Sequence, residues 1–126
     1  MPKILIVDDS LLDRKLSMNV FKKAGIGQEI LQAADGEEAL KILSQNYQEI
    51  ALILLDWQMP KMDGIEFMKG VTKVPEVAKI PIIMITASSS EENKKLAYQV
   101  NPNLAGYVTK PYKSEQLLDL AKPFLG

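Results

Sequence analysis

Ile50-Ala51-Leu52-Ile53-Leu54-Leu55-Asp56-Trp57-Gln58-Met59-Pro60 reads as a strand and the turn that ends it. Six apolar residues follow one another without alternation and then stop at an acid. A strand that is apolar on both faces belongs in a parallel sheet with helices covering both sides. Working outward from this segment, Ile4 to Val7 and Ile82 to Ile85 have the same character. Glu29 to Ala33 and Tyr107 to Thr109 are shorter candidates. Between the runs the apolar spacing turns helical. Leu12, Leu16, Val20 and Phe21 recur at helical intervals before Gly25, a C-terminal stop. Ser10 with Asp13, Asp35 with Glu38, and Asp63 with Glu66 have the form of capping boxes at three helix starts. A fourth helix is expected from about Ser90 to Val100, and a fifth from about Ser114 to Phe124, where Pro123 ends or bends it. Five strands alternating with five helices give an α/β, doubly wound parallel sheet with right-handed crossovers.

Composition narrows the chemistry. The 126 residues suit one domain, expected to span 1–126, and 47% apolar content is enough for a real core. There is no Cys and no His, which excludes disulfides, thiolate or imidazole metal sites and a histidine base. The net charge of −1, without a basic stripe, gives no sign of nucleic-acid binding. No apolar run approaches bilayer length, and the N-terminal stretch lacks a signal-peptide core. The expected protein therefore lies in the cytoplasm, off the membrane.

In an open parallel sheet, ligands bind beyond the carboxyl ends of the strands. This sequence places Asp8 and Asp9 after the first strand, Asp56 after the third, Thr86 after the fourth and Lys110 after the fifth. Two carboxylates ~5 Å apart at an effective dielectric of ~20 repel by roughly 3 kcal/mol. Three must take up protons, separate or bind a cation. Oxygen ligands alone suit a hard cation, Mg²⁺ before Ca²⁺. A carboxylate nucleophile with a metal, a lysine and a hydroxyl forms a site for phosphoryl transfer. Each residue taken singly has a plainer reading. Asp8-Asp9 could cap a helix, Asp56 could sit in a turn, Thr86 could simply end a strand, Lys110 could be a surface lysine, and Tyr107 a half-buried strand aromatic. Their coincidence at one edge favours the chemical reading.

Ile4-Leu5-Ile6-Val7-Asp8-Asp9-Ser10, Leu54-Leu55-Asp56-Trp57-Gln58-Met59-Pro60-Lys61-Met62-Asp63-Gly64, Ile85-Thr86-Ala87 and Gly106-Tyr107-Val108-Thr109-Lys110-Pro111-Tyr112 together resemble the response-regulator receiver family. The chain is most similar in pattern to single-domain regulators of the CheY type. The resemblance implies the flavodoxin/CheY-like strand order 2-1-3-4-5. It implies a two-component signalling role, with Asp56 as phosphoacceptor and Mg²⁺ as cofactor. Asp9 and Asp56 would bind the ion directly, Asp8 mainly through water, and the backbone carbonyl of Gln58 would complete the set. Lys110 and Thr86 would contact the phosphoryl group. Tyr107 would switch rotamer, and Lys110-Pro111 would be cis. The implied partners are a histidine kinase or phosphotransfer protein upstream, and a protein target that reads the face of the fourth helix, fifth strand and fifth helix. A monomer or weak dimer is expected, and a signalling phosphoacceptor that catalyses only its own phosphorylation and dephosphorylation. The CheY-like length favours a free-standing regulator; a phosphorelay shuttle or an excised receiver of a larger regulator is the alternative.

Three other readings fit less well. An aspartate-nucleophile phosphatase needs an acid two residues after the nucleophile, where this chain has Gln58. A flavin or nucleotide binder needs a Gly/Ser/Thr-rich cradle after the first strand, where this chain has Asp8-Asp9-Ser10-Leu11. A degenerate receiver, acting only as a docking surface, would have lost an acid or the lysine.

Overall fold

The computed structural model describes residues 2–125; Met1 and Gly126, the ends of the expected domain, lie outside the described residues. The strands β1 (Lys3–Val7), β2 (Ile30–Ala33), β3 (Ile50–Leu55), β4 (Ile82–Thr86) and β5 (Gly106–Thr109) form one sheet, all parallel, in the order β2-β1-β3-β4-β5. Successive side chains along a strand point to opposite faces. Ile4, Ile6, Leu52, Leu54, Ile83, Ile85 and Val108 therefore share one face, packed with Phe21, Leu117 and Ala121. Leu5, Val7, Ile53, Leu55, Ile82 and Met84 share the other, packed with Leu43, Phe67, Met68 and Ala97. This is why the three long strands lack alternation: both of their faces are core.

The helices are α1 (Leu11–Lys23), α2 (Gly36–Asn46), α3 (Gly64–Val71), α4 (Pro75–Ala78), α5 (Glu91–Val100) and α6 (Ser114–Ala121). Their starts follow local chemistry. The side chains of Ser10, Asp35, Asp63 and Ser90 each accept from the backbone N–H three residues on. Among the described residues, only Asp63–Glu66 completes the reciprocal box. Gly25, with φ of +77°, follows the C-cap of α1, a conformation that suits glycine. Beyond α6 the chain tightens into a 3₁₀ turn, Lys122–Phe124, at Pro123.

The expected helix count needs correction. Among the described residues there are six α-helices rather than five: α4 is a four-residue turn with Pro75 at its first position. Four residues are too few to show a helical period, and a proline that breaks a helix interior is favoured at its start. The apolar spacing on α1 marked the helix but not its buried face. Leu12 is 66% exposed and Leu16 52%, whereas Ser17 and Phe21 are buried. Polar residues turn inward there because each finds a partner. The Ser17 hydroxyl bonds Tyr112 Oη at 2.9 Å, and the Arg14 guanidinium donates to the Asp8 carbonyl and to Gln32 Oε1.

Gly36, Gly64 and Gly106 sit where a side chain would collide, Gly36 against the Met62 side chain at 2.9 Å. A Cβ at Gly64 would lie 2.6 Å from the Asp56 carbonyl oxygen, which is backbone; one at Gly106 would lie 2.7 Å from Leu120 Cδ1, the end of a flexible side chain. Gly64→Ala should therefore cost about 1–3 kcal/mol, despite the better helix propensity of alanine. Gly106→Ala should cost clearly less, because a leucine methyl can rotate away. Urea midpoints of the two variants check this, and equal losses would contradict it.

Candidate functional site

The carboxyl ends of β1, β3, β4 and β5 meet at one edge. Parallel pairing sets the first contacts. The Asp8 N–H donates to the Ala33 carbonyl at 3.0 Å and the Asp56 N–H to the Val7 carbonyl at 2.9 Å, so each acid continues the ladder one residue past its strand. Both carboxylates are held in place locally. Asp8 Oδ1 accepts from the Ser10 N–H at 2.9 Å, and Asp56 Oδ1 accepts from the Trp57 N–H at 2.8 Å. Asp8 and Asp56 are buried and Asp9 is exposed. One oxygen from each of Asp8, Asp9 and Asp56 lies within 4.8 Å of the others. The loop after β3 is closed by the Gly64 N–H, which donates to the Trp57 carbonyl at 2.8 Å. Gln58 lies exposed in that loop, two residues beyond Asp56.

Lys110 leaves β5 with its backbone N–H donating to the Thr86 carbonyl at 2.8 Å, which ties the ends of β4 and β5 together. Its ammonium donates to Asp8 Oδ2 at 2.9 Å and to Asp13 Oδ2 at 2.8 Å. Asp56 Oδ2 stands 3.8 Å away, an ion pair without a hydrogen bond. The Lys110–Pro111 bond is cis, as the family resemblance implied. Tyr112 then packs this loop against α1 through Ser17.

Thr86 and Tyr107 sit beside the acids, around Ser88. Thr86 is buried, and its Oγ1 accepts from the Ser88 N–H at 3.2 Å. The Tyr107 hydroxyl donates to the Ser88 carbonyl at 2.9 Å, and Asn93 Nδ2 donates to Ser88 Oγ at 2.8 Å. Ser88 thus links strand end, aromatic ring and the first turn of α5. Tyr107 is half-buried, and burial raises its pKa against the bond to Ser88.

The structure adds two residues that the sequence reading did not place at the edge. Asp13, read as a capping-box partner, instead turns its carboxylate to Lys110. Arg14 binds the Asp8 carbonyl. Side chains in a helix tilt toward its N-terminus. The first turn of a helix that springs from a strand end therefore leans back over that end, which the sequence signals for the turn as a whole but not for the partner each side chain takes.

Electrostatics follow from the crowding. Burial, the main cause, and repulsion from Asp8 push the Asp56 carboxyl up to about 6, against the opposing pull of Lys110. Burial works against the Lys110 ammonium, but hydrogen bonds to Asp13 and Asp8 and the charge of Asp56 outweigh it and hold its pKa above the ordinary lysine value. The donors converging here are all carboxylate oxygens, with no soft ligand. This set fits a hard divalent cation, which would relieve the repulsion that raises Asp56.

Residues 4–122 match the family model for the response regulator receiver domain. The chain belongs to the response-regulator receiver family. Its sequence is 31% identical over 124 residues to a chemotaxis protein CheY homolog of Campylobacter jejuni, covering 98% of this chain and 92% of that one. Chemotaxis protein CheY4 of Vibrio cholerae superposes with a TM-score of 0.84 at 34% identity, over 99% of both chains. A CheX–CheY–BeF₃–Mg²⁺ complex from Borrelia burgdorferi superposes with a TM-score of 0.83 at 29% identity, over 99% of this chain and 90% of that one. The chain is thus a CheY-like receiver of two-component signalling, with the expected strand order and an aspartate cluster able to hold a metal. No helix among the described residues is long and apolar enough to cross a membrane.

The raised pKa of Asp56 gives a stability prediction with a definite sign. The folded state favours protonated Asp56, so metal-free protein loses stability as pH rises from 3.8 through about 6. Asp56→Asn removes that loss. In EDTA the variant should be more stable than the parent by about 1–2 kcal/mol at pH 8, with the gain shrinking toward pH 4. Urea midpoints across this range test it; a gain that did not change with pH would contradict it.

Proposed function

We propose that this receiver, spanning residues 1–126, accepts a phosphoryl group on Asp56 in a Mg²⁺-dependent reaction and passes the signal on by protein contact. The observation that carries the proposal is the meeting of Asp8, Asp9 and Asp56 within 4.8 Å, beside the Lys110 ammonium. The donor is the phosphohistidine of a histidine kinase or phosphotransfer protein. An Asp56 oxygen forms the new P–O bond as the donor P–N bond breaks, and the departing imidazole takes a proton from solvent. Asp9 and Asp56 would hold the ion directly, Asp8 through water, with the Gln58 carbonyl as the remaining protein ligand. Bound Mg²⁺ would supply positive charge to the carboxylates and to the phosphoryl oxygens. The Borrelia complex, which combines a relative of this fold with BeF₃ and Mg²⁺, supports both the metal and the anion.

The chain's own residues do the rest. The Trp57 N–H fixes one oxygen of Asp56 and so orients the other. Lys110 brings a cation that is already 3.8 Å from Asp56. Thr86, now an acceptor for Ser88, would turn its hydroxyl proton to a phosphoryl oxygen. That movement would draw on the Ser88 loop, where Tyr107 is anchored, and shift the population of Tyr107 rotamers. The face of α5, β5 and α6 carries the change to a protein target. The receiver works as a monomer or weak dimer, turning over no external substrate beyond its phosphodonor.

Incubation with Mg²⁺ and acetyl phosphate, a small donor in place of the kinase, should add a phosphoryl group to Asp56, read by mass spectrometry of the intact chain and its peptides. Asp56→Asn and EDTA should each abolish labelling. Lys110→Ala should slow it by at least about tenfold, the scale of one lost electrostatic contact in a buried site. Labelling at another residue, or labelling indifferent to EDTA, would overturn the proposal. Trp57 adjoins Asp56 and is half-buried, so its emission should change on saturation with Mg²⁺.

A further inference from the structure

Lys110 carries the argument beyond the acids of the proposed metal site. Its ammonium has three donors. One goes to Asp8 and one to Asp13, at 2.9 and 2.8 Å, while Asp56 at 3.8 Å receives none. The shortest partner is thus neither the proposed phosphoacceptor nor one of the three clustered acids. It is a residue of the first turn of α1. The two bonded partners also differ in burial. The Asp8 side chain is 9% exposed, that of Asp13 35%. An abandoned Asp8 would remain a buried, unpaired charge, whereas an abandoned Asp13 can be resolvated by water. When a second anion appears at Asp56, Asp13 is the partner that Lys110 can leave at least cost.

We propose that Asp13 is a positioning residue that holds the resting Lys110 ammonium toward α1 and competes for it with a phosphoryl group on Asp56. The proposal rests on the phosphoacceptor reading above. The backbone around Lys110 stays anchored during this exchange, because its N–H is bonded to Thr86 and the following Tyr112 to Ser17. Only the flexible lysine stem has to swing. Asp13 also caps nothing with its carboxylate: the α1 cap uses its backbone N–H and the Ser10 hydroxyl. Its side chain is therefore free to be exchanged for an amide without removing the cap.

The test is a titration of the full chain with beryllofluoride, a phosphoryl mimic, at saturating Mg²⁺ with Trp57 emission as the signal. Asp13→Asn should bind the mimic about two- to fivefold more tightly than the parent, the scale of one half-exposed ion pair. Simple removal of a negative charge near an anion would also tighten binding, so the same substitution is made in a Lys110→Met background. There the gain should vanish, because no ammonium is left to release. Equal tightening in both backgrounds, or no change from Asp13→Asn in a parent that binds the mimic, would overturn the role of Asp13 and leave the phosphoacceptor reading standing. Failure of the parent itself to bind beryllofluoride with Mg²⁺ would overturn both.

Discussion

Three carboxylates, those of Asp8, Asp13 and Asp56, crowd one ammonium at the carboxyl edge of the sheet, with Asp9 beside Asp8 and Asp56, and the arrangement is tolerable because that ammonium is shared. Lys110 bonds two of them and faces a third. The balance remains incomplete: burial first, and then repulsion from Asp8, push the Asp56 carboxyl up to about 6 against the pull of Lys110. A structure built only for stability would have replaced such a cluster with apolar residues, since breaking or crowding buried charges costs more than packing them away. In the proposed function the imbalance is what makes the edge responsive. Any added cation relieves it, and any added anion must be met by the same lysine.

The rest of the fold serves to hold that edge still. β1, β3 and β4 are covered on both faces, so their ends cannot shift without disturbing two cores at once. Backbone bonds extend the ladder past the strands, from Asp8 to Ala33, Asp56 to Val7 and Lys110 to Thr86. Each charged side chain thus starts from a rigid point and retains freedom only in its outer atoms. Gly64 shows how tight this is, since its lack of a Cβ lets the start of α3 rest on the Asp56 carbonyl.

Much of this was legible in the sequence for one physical reason. An apolar run that stops at a polar residue marks both a buried strand and the point where its edge meets water. Four such stops point Asp8-Asp9, Asp56, Thr86 and Lys110 to one edge. The resemblance to receivers added what spacing could not, including the strand order and the cis Lys110–Pro111 bond, both present in the structure. What stayed hidden was tertiary choice. Asp13 satisfies the spacing of a capping box equally well whether its carboxylate turns back to Ser10 or across to Lys110, and only a lysine from a segment 97 residues away decides between them. In the same way, Leu12 and Leu16 announce a helix, but α1 buries Ser17 and Phe21, and the partner of Ser17 lies on another element. The short α4 lacks the length to carry any period.

In the proposed function, the path from the charged edge to the face of α5, β5 and α6 runs through one short loop. Thr86 reaches the Ser88 N–H, Tyr107 reaches the Ser88 carbonyl, and Asn93 in the first turn of α5 reaches the Ser88 hydroxyl. A change in what Thr86 bonds therefore acts on backbone and side-chain groups of a single residue, and these are the groups that hold Tyr107 and α5. Such a junction needs no long chain of displaced side chains. It needs only that the loop have two arrangements of similar energy, one with Thr86 serving Ser88 and one with Thr86 serving an anion on Asp56. The loop is exposed or half-buried over Ala87 to Ser90, whereas Thr86 itself is buried. In the proposed switch, the sheet thus supplies the fixed end and the loop the end that would move.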